Sequence, residues 1–248
     1  MNGVCWLLVL GIPLLLVQRR LHQEIQLLFY VITRRGEVAL ALFSLLFFPG
    51  VLLHELSHYV AARLLGVHTG RLSLVPRPMK DGRLRLGYVE TGQTDLVRDS
   101  LIGVAPLLSG GTVVAYAGLV GLGLSDLPVH LATPVQHLWR EGMERIYCQP
   151  DFWLWFYLTF TVSSTMLPSS TDRRAWLPLG LVLLSLLGAV ILAGAGPWLA
   201  AHFSQPLDRA IRIIALVFGI SLALHVILLV PIWLARWLLS KMRGFRLV

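Results

Sequence analysis

Charge is scarce in this sequence. Only 14% of its 248 residues are Asp, Glu, Lys or Arg, against about 25% in an ordinary soluble domain, and so few charges cannot cover a water-facing surface. A mean hydropathy of +0.72 with 56% hydrophobic residues excludes the soluble class and predicts a polytopic, all-α membrane protein. Acid is scarcer than base, 13 residues against 21. The resulting +8 does not indicate nucleic acid, because the Lys and Arg sit in short segments between apolar runs, where the positive-inside rule and anionic lipid account for them. Cys5 and Cys148 are far apart, which leaves neither a disulfide framework nor a metal-binding cysteine pair. Internal repeats and low-complexity linkers are also missing. Basic residues do not precede the first apolar run, Met1 to Val17, but follow it at Arg19-Arg20. That order is the reverse of a signal peptide and predicts a first membrane helix or signal anchor.

What is present is a polar motif in an apolar place. Between Val38 and Ala62 lies His54-Glu55-Leu56-Ser57-His58, and Glu55 is the only acid in that run. A carboxylate at bilayer depth costs a few kcal/mol and marks a functional site by default. On a helix, residues four apart stand on one face, so His54 and His58 can offer two imidazole nitrogens to one tetrahedral zinc ion. Glu55 would then lie beside the open position, placed to take a proton from water. A third protein ligand is required, and a carboxylate would bring the buried charge closer to neutral. Asp172 is the candidate, because it follows an apolar helix directly and is preceded by Pro168 and small hydroxyl residues that can bend the chain inward. Its competing role is a surface partner for Arg173 or Arg174. His225, alone in the last apolar segment, reads as a hydrogen-bonded interior histidine.

The expected architecture is a single membrane domain, 1–248, of about six transmembrane helices. Its catalytic core is 38–174, comprising the motif helix, a small membrane-associated β-hairpin at 67–99 between the second and third helices, and helices at 101–124 and 152–171; residues 175–248 add further transmembrane helices. Arg19 to Glu37 is either interfacial or a continuation of the first helix. Pro49 predicts a kink before the motif, and Gly66 a left-handed stop after it. Alternation in Arg83-Leu84-Arg85-Leu86-Gly87-Tyr88-Val89 after Lys80-Asp81-Gly82 predicts the hairpin. The glycines of the third apolar segment predict close packing on the motif helix. Grouping the hairpin, the turn at 172–174 and the C-terminus on one side collects the larger share of the 21 Lys and Arg and predicts that side to be cytoplasmic.

On these residues the chain resembles the site-2 protease family of intramembrane zinc metalloproteases. The likeness covers roughly residues 38 to 180: the membrane-embedded His54-Glu55-Leu56-Ser57-His58, a β-rich insertion, a Gly/Pro-containing helix, and a later helix ending in Leu167-Pro168 before Asp172. The resemblance implies one zinc ion held by His54, His58 and Asp172, with Glu55 as general base and acid. It also implies hydrolysis of a peptide bond in or near the transmembrane helix of a membrane-protein substrate, in a prokaryotic cytoplasmic membrane. Ser109, in Ala105-Pro106-Leu107-Leu108-Ser109, stands where the family has an asparagine and is assigned a hydrogen bond to substrate or transition state. A strand carrying Leu84, Leu86 and Val89 is assigned the unwound substrate, held by strand addition. Asp172 follows Pro168 by four residues and is followed by Arg173, whereas the family spaces its Leu-Asp-Gly aspartate five residues from the proline. A membrane scaffold or regulatory protein that retains the zinc site is the alternative.

Overall fold

The computed structural model describes residues 2–74, 77–78, 84–85, 87–123 and 151–243. Helix α1 runs Gly3–Thr33 without interruption through Pro13 and through the polar stretch after Arg19, so that stretch continues the first helix. Arg34, with φ 55, ends it, and only Arg34 and Arg35 separate it from α2, Gly36–Leu64. So short a link turns α2 back along α1. The motif lies in the last third of α2, and Pro49 is accommodated inside one continuous helix. Gly66 takes the predicted left-handed conformation, φ 70, and Val67 donates its N–H back to the Ala62 carbonyl at 2.8 Å, which closes the helix end.

Four short strands follow. β1, Thr69–Ser73, pairs antiparallel with β4, Tyr88–Thr91; between them β2, Arg77–Pro78, pairs antiparallel with β3, Leu84–Arg85. The nested pairing makes these the arms of a hairpin. Its expected turn at Lys80-Asp81-Gly82, and Leu86, lie outside the described residues. Helix α3, Leu96–Tyr116, continues into a π-turn at Ala117–Gly121. Asp95 caps it by accepting from the N–H groups of Val97 and Arg98 at 3.1 and 3.0 Å. After the undescribed 124–150 come α4, Phe152–Thr165, and α5, Trp176–Val190. A π-turn at Ile191–Ala195, with Gly194 at φ 91, leads into α6, Gly196–Met242.

α4 is the hub. Its buried Val162 joins Val114 of α3 and Val217, Ile220 and Leu224 of α6 in one cluster, while Phe160 joins Leu21 and Ile25 of α1 and Phe43, Phe47 and Val51 of α2 in another. Outside these clusters large apolar side chains such as Leu45, Leu108, Leu184 and Ile227 are exposed, as lipid-facing residues are. Four helical stretches among the described residues are long and apolar enough to cross a membrane: Gly3–Thr33, Gly36–Leu64, Leu96–Gly121 and Trp176–Met242. The molecule is therefore a helical membrane protein with a small β-hairpin. The expected six crossings are not all reproduced, since α4 has 14 residues, about 21 Å of helix, and α5 merges with α6 into one stretch.

α3 packs closely on the motif helix as expected, tied to it by the Ser57–Ser109 contact at 2.5 Å and by His58 Nδ1 on the Ile102 carbonyl, but its glycines do not face that helix: they and those of the following π-turn face α4, the turn after it and α6. A Cβ on Gly103 would overlap the Asp172 carbonyl, one on Gly118 would sit 2.8 Å from Ile220, and one on Gly121 would meet the Trp155 ring at 2.5 Å. Nor does the end of α6 share a side with the hairpin. Arg243 donates to the carbonyls of Val31 and Ile32, beside the start of α2, whereas the hairpin follows the far end of α2. The basic residues Arg236, Lys241 and Arg243 thus cannot be counted with those of the hairpin, and the charge argument for orientation loses that support.

Candidate metal centre

The helical period brings the imidazoles of His54 and His58 together, with ring centroids 4.8 Å apart. Each ring is oriented from behind by a main-chain carbonyl. His54 Nδ1 donates to Thr165 O at 2.7 Å, the last residue of α4, and His58 Nδ1 donates to Ile102 O at 2.9 Å, in α3. With Nδ1 as donor, Nε2 of a neutral ring carries a lone pair. The two Nε2 atoms face each other at 3.2 Å.

Asp172 completes the group. Its Oδ1 lies 3.4 Å from His58 Nε2 and its Oδ2 3.7 Å from His54 Nε2. The turn between α4 and α5 presents it: Ser169 donates its N–H to Oδ2 at 2.6 Å, and Asp172 donates its own N–H to Ser169 Oγ at 3.3 Å. The competing surface role is filled otherwise. Arg174 makes a two-pronged pair with Asp99 of α3 at 2.8 and 2.8 Å, and Arg173 Nε donates to Ser169 O. Asp172 is left facing the histidines. In the metal-free chain burial opposes its ionisation, but hydrogen bonds from His54 and His58 when their Nε2 atoms are protonated, and from Ser169, outweigh it and hold the carboxyl well below the usual carboxylate range; a bound cation would take the place of those Nε2 protons.

The donors fit a metal ion. Two imidazole lone pairs and an ionised carboxylate converge, an arrangement that repels itself unless positive charge lies among them. The two Nε2 atoms are 3.2 Å apart, close to the edge of about 3.3–3.6 Å that two ligands at zinc bond lengths of about 2.0–2.2 Å subtend in a tetrahedron; Asp172 turns a different oxygen to each ring, Oδ1 to His58 and Oδ2 to His54, and one donor atom from each of the three residues lies within 4.8 Å of the others. His54, His58 and Asp172 form a group able to hold a metal ion. Two nitrogens and one oxygen suit zinc among several first-row metals.

Glu55, buried at 7% exposure, lies against the hairpin. A Cβ built on Gly87 would stand 2.8 Å from Glu55 Cγ and 3.1 Å from its Oε1, so a glycine is what lets the strand backbone approach the carboxylate. Ser109 does not stand free: its hydroxyl is 2.5 Å from Ser57 Oγ, tying α3 to the motif helix one residue before His58. Val89 is half-buried in β4 opposite Leu72. Leu84 lies in β3, and Leu86 is outside the described residues. His225 is buried and hydrogen-bonded, as the sequence suggested. What the sequence did not single out are the orienting carbonyls of Thr165 and Ile102 and the glycine at 87. The carbonyls leave no trace in residue identity, whereas Gly87, a glycine within an alternating strand, was a visible signal of close backbone approach.

Fold and site together define a helical membrane protein with a His-His-Asp metal centre candidate beside a buried glutamate. Compared with protein-family models, curated proteins and solved structures, the chain matches none.

Proposed function

We propose that the protein is a zinc-dependent intramembrane endopeptidase that cuts a membrane-protein substrate in or near its transmembrane helix. The observation that carries this reading is the convergence of His54, His58 and Asp172 on one point with buried Glu55 next to it in the chain. Bound zinc would supply an acidified water and a polarised carbonyl. The rest belongs to the chain. Thr165 and Ile102 hold the two imidazoles with their Nε2 lone pairs directed inward, Asp172 supplies the compensating negative charge, and Glu55 takes a proton from water and returns it to the leaving amine. A scaffold would need the ligands but not the carboxylate beside them, and a Glu in an apolar helix is a cost that favours a functional role for Glu55.

A substrate helix hides its carbonyls in its own hydrogen bonds and must unwind before attack. β4 has β1 as its one strand partner among the described residues, and its approach to Glu55 through Gly87 supports its use as the strand that receives the unwound segment. Ser109 is retained as a helix-to-helix tie that a substrate could recruit. In the bilayer α4 counts as a short crossing buried among its neighbours; because α6 runs parallel to α1, with Asp208 at the start of α1 and Arg243 at its end, an alternating path from α1 to α6 makes an odd number of crossings, so the expected six are not recovered.

Glu55→Gln tests the reading. The purified variant in lipid nanodiscs should keep its zinc and lose about 10²–10⁴-fold in cleavage of transmembrane-helix peptides. A Glu55→Gln protein with wild-type cleavage would refute the protease.

A further inference from the structure

The carbonyl that orients His54 belongs to a helix end. Carbonyls in the last turn of a helix lack intrahelical N–H partners, so their direction depends on what fixes that turn. In α4 it is fixed through Ser164, the residue before Thr165. Gln18 of α1 donates its side-chain Nε2–H to the Ser164 carbonyl at 2.6 Å. The Ser164 hydroxyl bonds His225 of α6 at 2.9 Å, and His225 is itself held by Nδ1 against the Ser221 carbonyl at 2.7 Å. With Nδ1 donating, His225 Nε2 accepts, so the Ser164 hydroxyl is the donor. Ser164, Ser221 and His225 are all buried. One serine is thus gripped from two sides by helices that lie outside the 38–174 segment carrying the ligands.

We propose that Gln18 and His225 are positioning residues for the metal centre. By clamping Ser164 they fix the last turn of α4, and through the Thr165 carbonyl they set the direction of the His54 Nε2 lone pair. The proposal rests on the metal-centre reading and extends it, since it makes α1 and α6 part of the ligand scaffold. Neither residue is needed to dock those two helices. Glu24 pairs with Arg236, Asp208 accepts the Gly3 N–H at 2.7 Å, Arg243 donates to the Val31 and Ile32 carbonyls, and Phe218 packs on Gly11. Removing the clamp should therefore loosen the site while the helices stay together.

Groups that orient a metal-bound histidine contribute about 10–100-fold to affinity, and a clamp one residue further back is expected at the lower end, about 10-fold. The test uses the full chain in nanodiscs. Zinc affinity is measured by competition with a chromophoric chelator, and the visible spectrum of the Co²⁺-loaded protein reports ligand symmetry. Gln18→Met and His225→Leu keep bulk and remove hydrogen bonding, Ser164→Ala removes only the hydroxyl and guards against misfolding in the others, and His225→Gln restores a hydrogen-bonding partner. Phe218→Ala is the control for general loosening of the α1–α6 contact. The expected result is about 10-fold weaker zinc binding and an altered Co²⁺ spectrum in Gln18→Met, His225→Leu and Ser164→Ala, recovery in His225→Gln, and wild-type metal binding in Phe218→Ala despite a lower melting temperature. Wild-type affinity and spectrum in the first three variants would overturn the clamp alone, as would equal weakening by Phe218→Ala. A wild-type protein that takes up neither Zn²⁺ nor Co²⁺ would overturn the metal centre and the clamp with it.

Discussion

At the scale of single residues, the centre is a problem of lone pairs. His54 and His58 spend their Nδ1 protons on carbonyls and aim their Nε2 atoms at Asp172, so positive charge between them, a proton or the proposed metal ion, is what makes the geometry tolerable. The depressed Asp172 carboxyl fixes the sign of one pH effect. A carboxyl whose folded pKa lies below its unfolded value contributes in full above that unfolded value, near 3.9, and loses its contribution only as pH falls through the folded one. Between pH 6 and 8 Asp172 stays ionised, and proton competition falls on the imidazoles, which must be neutral to ligate. Asp172→Asn should therefore weaken zinc binding at pH 6 as well as at pH 8; wild-type affinity in the variant at either pH would count against Asp172 as an ionised ligand. Gly87 yields a second prediction. Gly87→Ala forces a methyl against Glu55 and Val51, so cleavage should fall at least about 10-fold, as for a misplaced catalytic group, with zinc content unchanged. Full activity in that variant would place the strand elsewhere during catalysis. The first two ligands and Glu55 were legible because the helical period links them over five residues. Asp172 was legible only as a candidate, since it meets His58 across more than a hundred residues and the Arg174–Asp99 pair that frees it is invisible in sequence.

Among the elements, α1 and α6 show how two parallel helices can satisfy each other. Asp208 of α6 accepts the first N–H of α1, and Arg243 covers carbonyls in its last turn, opposite charges at opposite ends of the helix dipole. Such caps explain why α1 runs to Thr33 through residues whose polarity left Arg19 to Glu37 undecided: the buried Glu24 answers Arg20 and Arg236, and no sequence pattern announces a partner more than two hundred positions away. The hairpin was legible from strict alternation about an Asp-Gly pair. The partners of the α3 glycines were not, because small residues announce close approach without naming the neighbour. The hairpin's function has its own test. Val89→Pro removes a backbone donor from β4, and Leu86→Pro does the same in the preceding segment; both should reduce cleavage of transmembrane-helix peptides while zinc stays at the wild-type level. Loss of zinc in either would mean that the strand holds the metal centre together instead of receiving substrate.

For the molecule as a whole, the ligands come from two ends of a sequence segment folded around α4. That helix packs α1 and α2 on one side and α3 and α6 on another, and the turn after it delivers Asp172 to the hairpin end of the motif helix. Membrane helices have no hydrophobic drive to associate, so close packing at small residues and polar ties such as Ser57–Ser109 must supply cohesion. The helical membrane class followed from composition. The sidedness did not, because charge counting presumes where each segment lies, and Arg243 places the end of α6 opposite the hairpin. The central claim is that one metal ion joins α2 to the turn after α4. Zinc stoichiometry of the purified protein, wild type beside His54→Ala, His58→Ala and Asp172→Ala, tests it most directly. The account predicts about one zinc per wild-type chain and strongly depleted zinc in each of the three variants, all still folded. Wild-type zinc in Asp172→Ala would contradict the third ligand, and a wild-type protein without zinc, even after incubation with the metal, would contradict the centre itself.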